Sequence, residues 1–168
     1  MYIALGNELR YSEGCEEWLS NQNFRCMNDT KYVLVDFLEG EKKETISKGL
    51  DRFLSFGYVP ILAHAERYRS LRGNLNFLKE HRDNGVLIQV DAGSIFGEFG
   101  FNARMFSRKI LKNYLVDFVA SDAHSPVRKY PGLKDAYKFI EKKYGADYAE
   151  AVCFRNAFNT IFQQRKDS

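Results

Sequence analysis

The chain has 168 residues, of which 45% are hydrophobic and 15% aromatic, and its formal net charge is +3. This length and composition predict a single globular domain over residues 1–168 and exclude a disordered chain. The basic residues are scattered among acids, which does not favour a nucleic-acid partner, and no apolar stretch approaches the ~20 residues that span a bilayer. The three cysteines are odd in number and lack CxxC spacing, which indicates a reduced, cytoplasmic protein that is not membrane-embedded.

In the first half of the chain, short apolar runs alternate with segments of helical spacing. The apolar runs predict strands at residues 2–5, 32–37 and 58–63. The helical spacing predicts helices at residues 15–20, 44–56 and 75–83. Gly57 directly follows the second of these helices and marks its end. His81 sits in the charged pattern of the third helix and is predicted to be solvated, without a functional role.

The second half continues the alternation. Strands are predicted at residues 86–90 and 115–120. Helices are predicted at residues 105–113, 133–144 and 146–154, before a tail around 156–162. Regular alternation of strands and helices predicts an α/β fold with a parallel sheet, either open or closed into a barrel.

The last predicted strand ends at an acid and an imidazole one residue apart, Asp122 and His124. Side chains two residues apart in an extended backbone lie on the same side, and ligands in α/β folds gather at the carboxyl ends of strands. An oxygen and a nitrogen would then converge on one point, as divalent metals require. The alternative is a strand-end Asp that caps the next helix beside a surface His, and this stretch alone does not decide between the two.

The strand at 58–63 also ends in reactive side chains, at His64, Glu66 and Arg67. Glu66 is expected either to support a metal ligand or to be an ordinary acid at a helix start. Polar residues close every predicted strand in the same way: Glu8, Asp36, His64, Asp91, Asp122 and His124. Their regularity predicts one polar rim, as on the upper face of a β/α barrel, and a metal-assisted enzyme site. We expect Asp91 to cap the turn into residues 92–94 rather than to bind metal.

Several blocks of this sequence resemble one family over nearly the whole chain. The blocks are Gly6-Asn7-Glu8, Tyr32 to Phe37, Gly57 to Tyr68 with its His-Ala-Glu-Arg-Tyr, Gln89 to Gly97, and Ala120 to His124 with Arg128 just behind. In this order and spacing they resemble the PHP-type, metal-dependent protein-tyrosine phosphatases of bacterial capsule and exopolysaccharide loci. The aromatic residues Phe96, Phe99 and Phe101 fit core or substrate-groove lining better than a cofactor site.

The resemblance implies a distorted, TIM-like β/α barrel of PHP type that holds a cluster of divalent metals at its rim, commonly manganese, with iron, zinc and magnesium as alternatives. It implies metal-ligand roles for Glu8, Asp36, His64, Asp122 and His124. It also implies that Arg67 and Arg128 hold the substrate phosphate. Carboxylates and imidazoles suit these metals, and guanidinium groups offset charge on phosphoryl oxygens. For each arginine, an ordinary surface ion pair is the alternative.

The sequence departs from the family pattern in two main ways. The family begins with a strand that carries His-x-His, and this chain has no such segment, so we expect an N-terminally truncated and incomplete barrel. The strand edges of such a barrel invite pairing, which makes a homo-oligomer an expected state. Asp36 stands where the family usually has a bridging Glu, and its shorter side chain would draw the carboxylate back by roughly 1–1.5 Å.

Three functions follow from these observations. The first is a metal-dependent protein-tyrosine phosphatase that acts on the phosphotyrosine tail of a capsule or exopolysaccharide tyrosine autokinase. The second is a truncated, non-catalytic remnant that serves as a binding or oligomerising module. The third is a PHP-type enzyme for another phosphoester, such as histidinol phosphate, against which the family-specific blocks argue.

Overall fold

Five parallel strands form one sheet whose spatial order follows the chain. The computed structural model describes residues 3–124 and 132–163. The strands are β1 (Glu8–Arg10), β2 (Tyr32–Asp36), β3 (Val59–Leu62), β4 (Leu87–Asp91) and β5 (Phe118–Ala120). The predicted parallel α/β sheet is thus confirmed. Within the described residues the sheet is open, with β1 and β5 at its edges.

Helices connect the strands and cover the sheet. They are α1 (Glu16–Ser20), α2 (Lys43–Ser55), α3 (Leu75–Asp83), α4 (Ala92–Phe96), α5 (Gly100–Lys112), α6 (Leu133–Tyr144), α7 (Ala146–Glu150) and α8 (Asn156–Phe158). Short 3₁₀ turns lie at Met27–Asp29, Ala65–Arg67 and Arg69–Leu71, and π-helical turns at Ala151–Arg155 and Asn159–Gln163. Within the described residues, no helix combines the length and apolar character that a bilayer crossing requires.

The apolar side chains of the sheet point to its two faces in alternation, as the pleat of a strand dictates. On one face, Val33 and Val35 of β2 join the main core beneath α2 and α5. On the other, Tyr32, Ile61 and Phe118 form a smaller cluster. All three cysteines lie in the described residues and none is in a disulfide, as predicted.

The first strand lies later in the chain than the sequence predicts. The prediction placed it at residues 2–5, whereas β1 begins at Glu8 and pairs with β2 so that Arg10 lies opposite Asp36. Ile3 and Leu5 are instead 74% and 65% exposed. The pairing explains the shift, because Arg10 also forms an ion pair with Asp36 that an earlier register would not allow.

The helices around residue 100 also differ from the prediction of one helix at 105–113. A short α4 precedes α5, and α5 begins five residues before the predicted start. Gly97 and Gly100 have φ of 99° and 92°, a left-handed conformation that glycine adopts without a steric penalty. These glycines allow the chain to end one helix and begin the next.

His81 is buried, so the prediction of a solvated residue was wrong. Its side chain is stacked on Phe77 with ring centroids 4.1 Å apart. Its Nε2 lies 2.9 Å from the Ser47 hydroxyl, and its Nδ1 lies 2.9 Å from the Phe77 carbonyl. His81 therefore ties α3 to α2, whereas Lys79, Glu80 and Asp83 of the same helix are exposed.

Candidate metal centre and active site

The carboxyl end of the sheet carries two residues in unusual backbone conformations. His64 lies two residues beyond β3 with φ 34° and ψ 53°, and Asp122 lies two residues beyond β5 with φ 44°. Left-handed conformations of residues other than glycine cost about 1 kcal/mol or more and persist where the surrounding structure holds them. Such strain concentrates at functional sites, and here it marks the two strand ends that the sequence singled out.

Three side chains converge at this end of the sheet: Glu8, Asp36 and His64. One oxygen or nitrogen atom from each lies within 4.8 Å of the other two. The His64 Nε2 is 3.4 Å from a carboxylate oxygen of Glu8 and 3.4 Å from one of Asp36. Two carboxylates and one imidazole make a donor set that suits manganese, iron or zinc. The residues present therefore fit a divalent metal.

Asp36 is held in place by two neighbours. Arg10 donates from Nε and Nη2 to its Oδ2, at 2.8 and 2.6 Å. The Tyr68 hydroxyl donates to its Oδ1 at 3.3 Å and accepts from the Phe37 backbone N–H. One carboxylate oxygen is thus neutralised by a guanidinium, and the other faces His64. Sequence reasoning missed Arg10, because its contact with Asp36 depends on how β1 pairs with β2.

The imidazole of His64 sits among acids. Burial disfavours its charged form, but the interactions with Glu8, Asp36 and Glu66 outweigh burial and raise the pKa of His64 above its ordinary value. Its Nδ1 is buried without a hydrogen-bond partner among the residues that the structure describes. A buried imidazole with one nitrogen facing two carboxylates is a suitable metal ligand.

Arg67 lies beside this cluster and is shared among carboxylates. Its Nη1 donates to Asp122 at 2.9 Å and to Asp91 at 3.3 Å, and its Nε is 3.5 Å from a Glu39 carboxylate oxygen. Its guanidinium also stacks over the Phe99 ring, 4.5 Å from the centroid. Arg67 is therefore a cation at the rim whose donors face the same acids that border the metal cluster.

Behind Arg67, two acids are buried next to each other. The Glu66 carboxylate accepts from the Asp91 backbone N–H at 3.0 Å. Burial, and then the charge of Asp91, raise the pKa of Glu66 to about 7. Burial, and then the charge of Asp122, raise the pKa of Asp91 to about 6. Glu66 thus supports the site from behind and is not an ordinary acid at a helix start.

The expectation that Asp91 caps the following turn was wrong. Its side chain makes no capping hydrogen bond to α4 within the described structure and turns toward Arg67 instead. The ion pair with the half-buried Arg67 guanidinium competes successfully with the cap, because an ion pair is stronger than a hydrogen bond to a neutral N–H group.

Asp122 and His124 form a separate pair at the rim. The His124 Nε2 is 2.9 Å from Asp122 Oδ1, and the His124 side chain is 79% exposed. Among the residues described, neither belongs to the cluster of Glu8, Asp36 and His64, and Asp122 instead forms an ion pair with Arg67. Arg128, the second predicted phosphate-holding arginine, lies outside the described residues.

Comparison with known proteins shows what this chain is similar to. The family model for capsular polysaccharide synthesis, CpsB/CapC, matches residues 1–162. The chain is 33% identical over 148 residues to CapC of Staphylococcus aureus, which covers 88% of this chain and 57% of that protein. It is 32% identical over 169 residues to the tyrosine-protein phosphatase CpsB of Streptococcus pneumoniae, covering 98% of this chain and 70% of that one.

A solved structure agrees with the sequence relatives. It comes from the crystal structures of YwqE from Bacillus subtilis and CpsB from Streptococcus pneumoniae, unique metal-dependent tyrosine phosphatases. The TM-score is 0.81 at 29% identity, over 93% of this chain and 63% of the solved one. The chain thus spans a little under two thirds of the length of that structure. From the match over nearly its whole length, the chain belongs to the CpsB/CapC family of capsular polysaccharide synthesis.

Proposed function

We propose that this chain is a metal-dependent phosphoester hydrolase of the protein-tyrosine phosphatase class. The observation that carries the proposal is the convergence of Glu8, Asp36 and His64 within 4.8 Å, with Arg67 alongside. A metal-ligand cluster next to a guanidinium is what hydrolysis of a phosphate ester needs. The relatives named as tyrosine-protein phosphatases support the assignment.

Glu8, Asp36 and His64 would hold a divalent metal, with Asp122 and His124 as further ligands of a metal cluster. Manganese is the proposed metal, and iron, zinc and magnesium are the alternatives. When bound, such metals supply a nucleophile at neutral pH and offset charge on the phosphoryl group. Arg10 would hold Asp36 in its orientation, because it occupies the carboxylate oxygen that does not face His64.

Arg67 would bind the phosphoryl oxygens of the substrate. A phosphate that entered the site would compete with Asp91 and Asp122 for the Arg67 donors, and a guanidinium can serve a phosphate with two parallel hydrogen bonds. Arg128 is proposed for the same role on the resemblance alone. The Phe99 ring beneath the Arg67 guanidinium would limit how far that group can swing.

The proposed substrate is the phosphotyrosine of a tyrosine autokinase of a capsule or exopolysaccharide locus, met in the cytoplasm. We further propose that the open parallel sheet is part of a distorted β/α barrel of PHP type and that the chain forms one domain. The parallel strands with polar residues beyond their carboxyl ends support that architecture.

Hydrolysis of p-nitrophenyl phosphate and of a phosphotyrosine peptide, each titrated with Mn²⁺, tests the proposal. We expect a metal-dependent rate that Asp36→Asn lowers at least a hundredfold, because the substitution removes a charge from the cluster. Asp51→Asn, on the exposed face of α2, is the matched control and should leave the rate unchanged. A phosphotyrosine peptide should be a better substrate than histidinol phosphate.

A rate no higher than that of the metal-only blank would contradict the proposal. It would favour the second candidate, a binding or oligomerising module without turnover. Size-exclusion chromatography with light scattering would then measure whether the chain assembles with further copies of itself.

A further inference from the structure

A cationic pocket is lined largely by α5, and its lining residues differ from those of the metal cluster. We call it the α5 pocket, and its cavity volume is about 530 Å³. Among the residues that the structure describes, its lining has no acidic side chain and includes four cations: Arg72, Arg108, Lys109 and Lys112. From Gly100 to Lys112, α5 itself carries no Asp or Glu. Such a concentration of one sign of charge attracts an anionic ligand and is not needed for folding.

The electrostatics of the pocket agree with its composition. Burial, and then the neighbouring Arg104, lower the pKa of Arg108 below its ordinary value. Arg108 donates from its Nε to the Ile95 carbonyl and stacks over Phe139, and no carboxylate of the described residues is paired with it. An anion that entered would offset the repulsion between Arg108 and Arg104 of the same helix.

The floor of the pocket is apolar and aromatic. It includes Met105, Phe106 and Tyr144. Met105 is 52% exposed, and Phe101, one helical turn earlier, is 73% exposed. Large exposed apolar side chains beside a concave cavity suit a peptide whose side chains insert, whereas a membrane surface is flat.

The pocket is connected to the candidate active site by α5. The Phe99 ring lies under the Arg67 guanidinium, and α5 begins at the next residue. With a helical rise of about 1.5 Å per residue, Lys109 and Lys112 lie roughly 15 and 20 Å from Phe99 along the helix. An extended peptide covers such distances in about four to six residues.

We infer that the α5 pocket docks an acidic segment of the phosphotyrosine protein, four to six residues from the tyrosine in the active site. The inference rests on the proposed phosphatase function and adds a selectivity determinant to it. Exposed Phe101 and Met105 would contact the peptide between the two sites. The cations would then lower KM for substrates with acidic residues at the matching distance.

The test compares two phosphotyrosine peptides, one with glutamates four to six positions from the tyrosine on both sides and one with glutamines there. For the unsubstituted protein, we expect KM for the glutamate peptide to be about tenfold lower at low salt. Arg72→Glu combined with Lys112→Glu should remove that preference. Lys134→Glu combined with Lys138→Glu, on the exposed face of α6, changes the net charge equally and should keep it.

Binding separates this inference from the proposed function. Fluorescence anisotropy with the unphosphorylated glutamate peptide needs no turnover, and the pocket variant should raise its Kd at least tenfold. Hydrolysis of p-nitrophenyl phosphate reports independently whether each protein has a working catalytic centre. Equal KM and Kd for the two peptides would overturn the docking proposal. Loss of sedimentation with phosphatidylserine vesicles, without any change in peptide affinity, would overturn it too and assign the pocket to lipid.

Discussion

At the amino end of the sheet, Arg82 and Asp117 form a saturated ion pair, whereas at the carboxyl end Arg67 is shared among three carboxylates. The Asp117 carboxylate accepts from Arg82 Nε and Nη2 at 2.8–3.1 Å and from the Ile88 backbone N–H at 2.9 Å. Its carbonyl accepts from Asn156. This network connects α3, β4 and the C-terminal helices.

The carboxyl end is built in the opposite way. Among the described residues of this end, acids outnumber cations, and Glu66 and Asp91 have raised pKa values. An oxygen of Asp91 is buried there without a hydrogen-bond partner in the described structure. His64 and Asp122 are held in left-handed conformations. The comparison teaches that the ion pair at the amino end stabilises the fold, whereas the carboxyl end holds carboxylates that repel one another. A bound cation would reduce that repulsion.

The largest effect is expected from His64→Ala. Loss of a ligand from the three-residue cluster should lower metal-dependent hydrolysis of p-nitrophenyl phosphate by about a thousandfold, roughly 4 kcal/mol of activation free energy. The free energy of unfolding in chelator should change by less than about 1 kcal/mol, because the cost of burying the imidazole offsets its favourable contacts with the carboxylates. If stability fell as steeply as activity, the carboxyl end would be a structural network like the amino end.

The converse is expected of Asp117→Ala. The substitution leaves the half-buried Arg82 without its partner and the Ile88 N–H without an acceptor, so we expect a loss of about 3 kcal/mol in the free energy of unfolding. Urea denaturation measures this loss. The hydrolytic rate of the remaining folded protein should stay within twofold, and a large drop in that rate would show that the two ends are not independent.

Glu66→Gln tests directly whether the buried charge of Glu66 destabilises the fold. Because the pKa of Glu66 is raised from 4.5 to about 7, its contribution to stability is present at low pH and is lost as pH rises through about 7. In chelator, the Gln variant should match the parent protein near pH 5 and exceed it by up to about 3 kcal/mol at pH 8. Glu141→Gln, at an exposed site on α6, is the control. Equal pH dependence in both variants would contradict the account.

A smaller effect is expected of Arg67→Lys. Lysine keeps the charge but loses the planar pair of donors, so kcat/KM for a phosphotyrosine peptide should fall about thirtyfold, close to 2 kcal/mol. Arg155→Lys, whose partner is the exposed Asp147, should leave kcat/KM unchanged. An Arg67→Lys variant with full activity would remove Arg67 from the phosphate-binding role.

The sequence correctly predicted those strands and helices whose structure depends mainly on their own residues. The apolar runs of β2 to β4 and the spacing of α2 and α6 were identified within one or two residues. Part of the rim was also predicted: Asp122 and His124 form a separate pair and Glu8 begins β1, but Glu8, Asp36 and His64 do meet at one end of the sheet. Their role as metal ligands stays a prediction.

What the sequence did not predict depends on pairing between distant segments. The register of β1 decides that Arg10 meets Asp36, and nothing local to residues 2–10 reveals that register. The prediction for His81 was wrong because the charged residues around it in sequence made the whole helix look solvent-exposed. One face of α3 contacts Ser47 instead. The prediction for Asp91 was wrong because it considered only the adjacent helix start as a partner for the carboxylate. The actual partner, Arg67, is 24 residues away in sequence.

Crystals soaked in Mn²⁺ and measured at the manganese absorption edge test the central claim most directly. An anomalous peak in contact with carboxylate oxygens of Glu8 and Asp36 and with the His64 Nε2 is the result we predict, and Asp36→Asn should weaken it. A protein that binds Mn²⁺ elsewhere, with no peak at this cluster, would contradict the account.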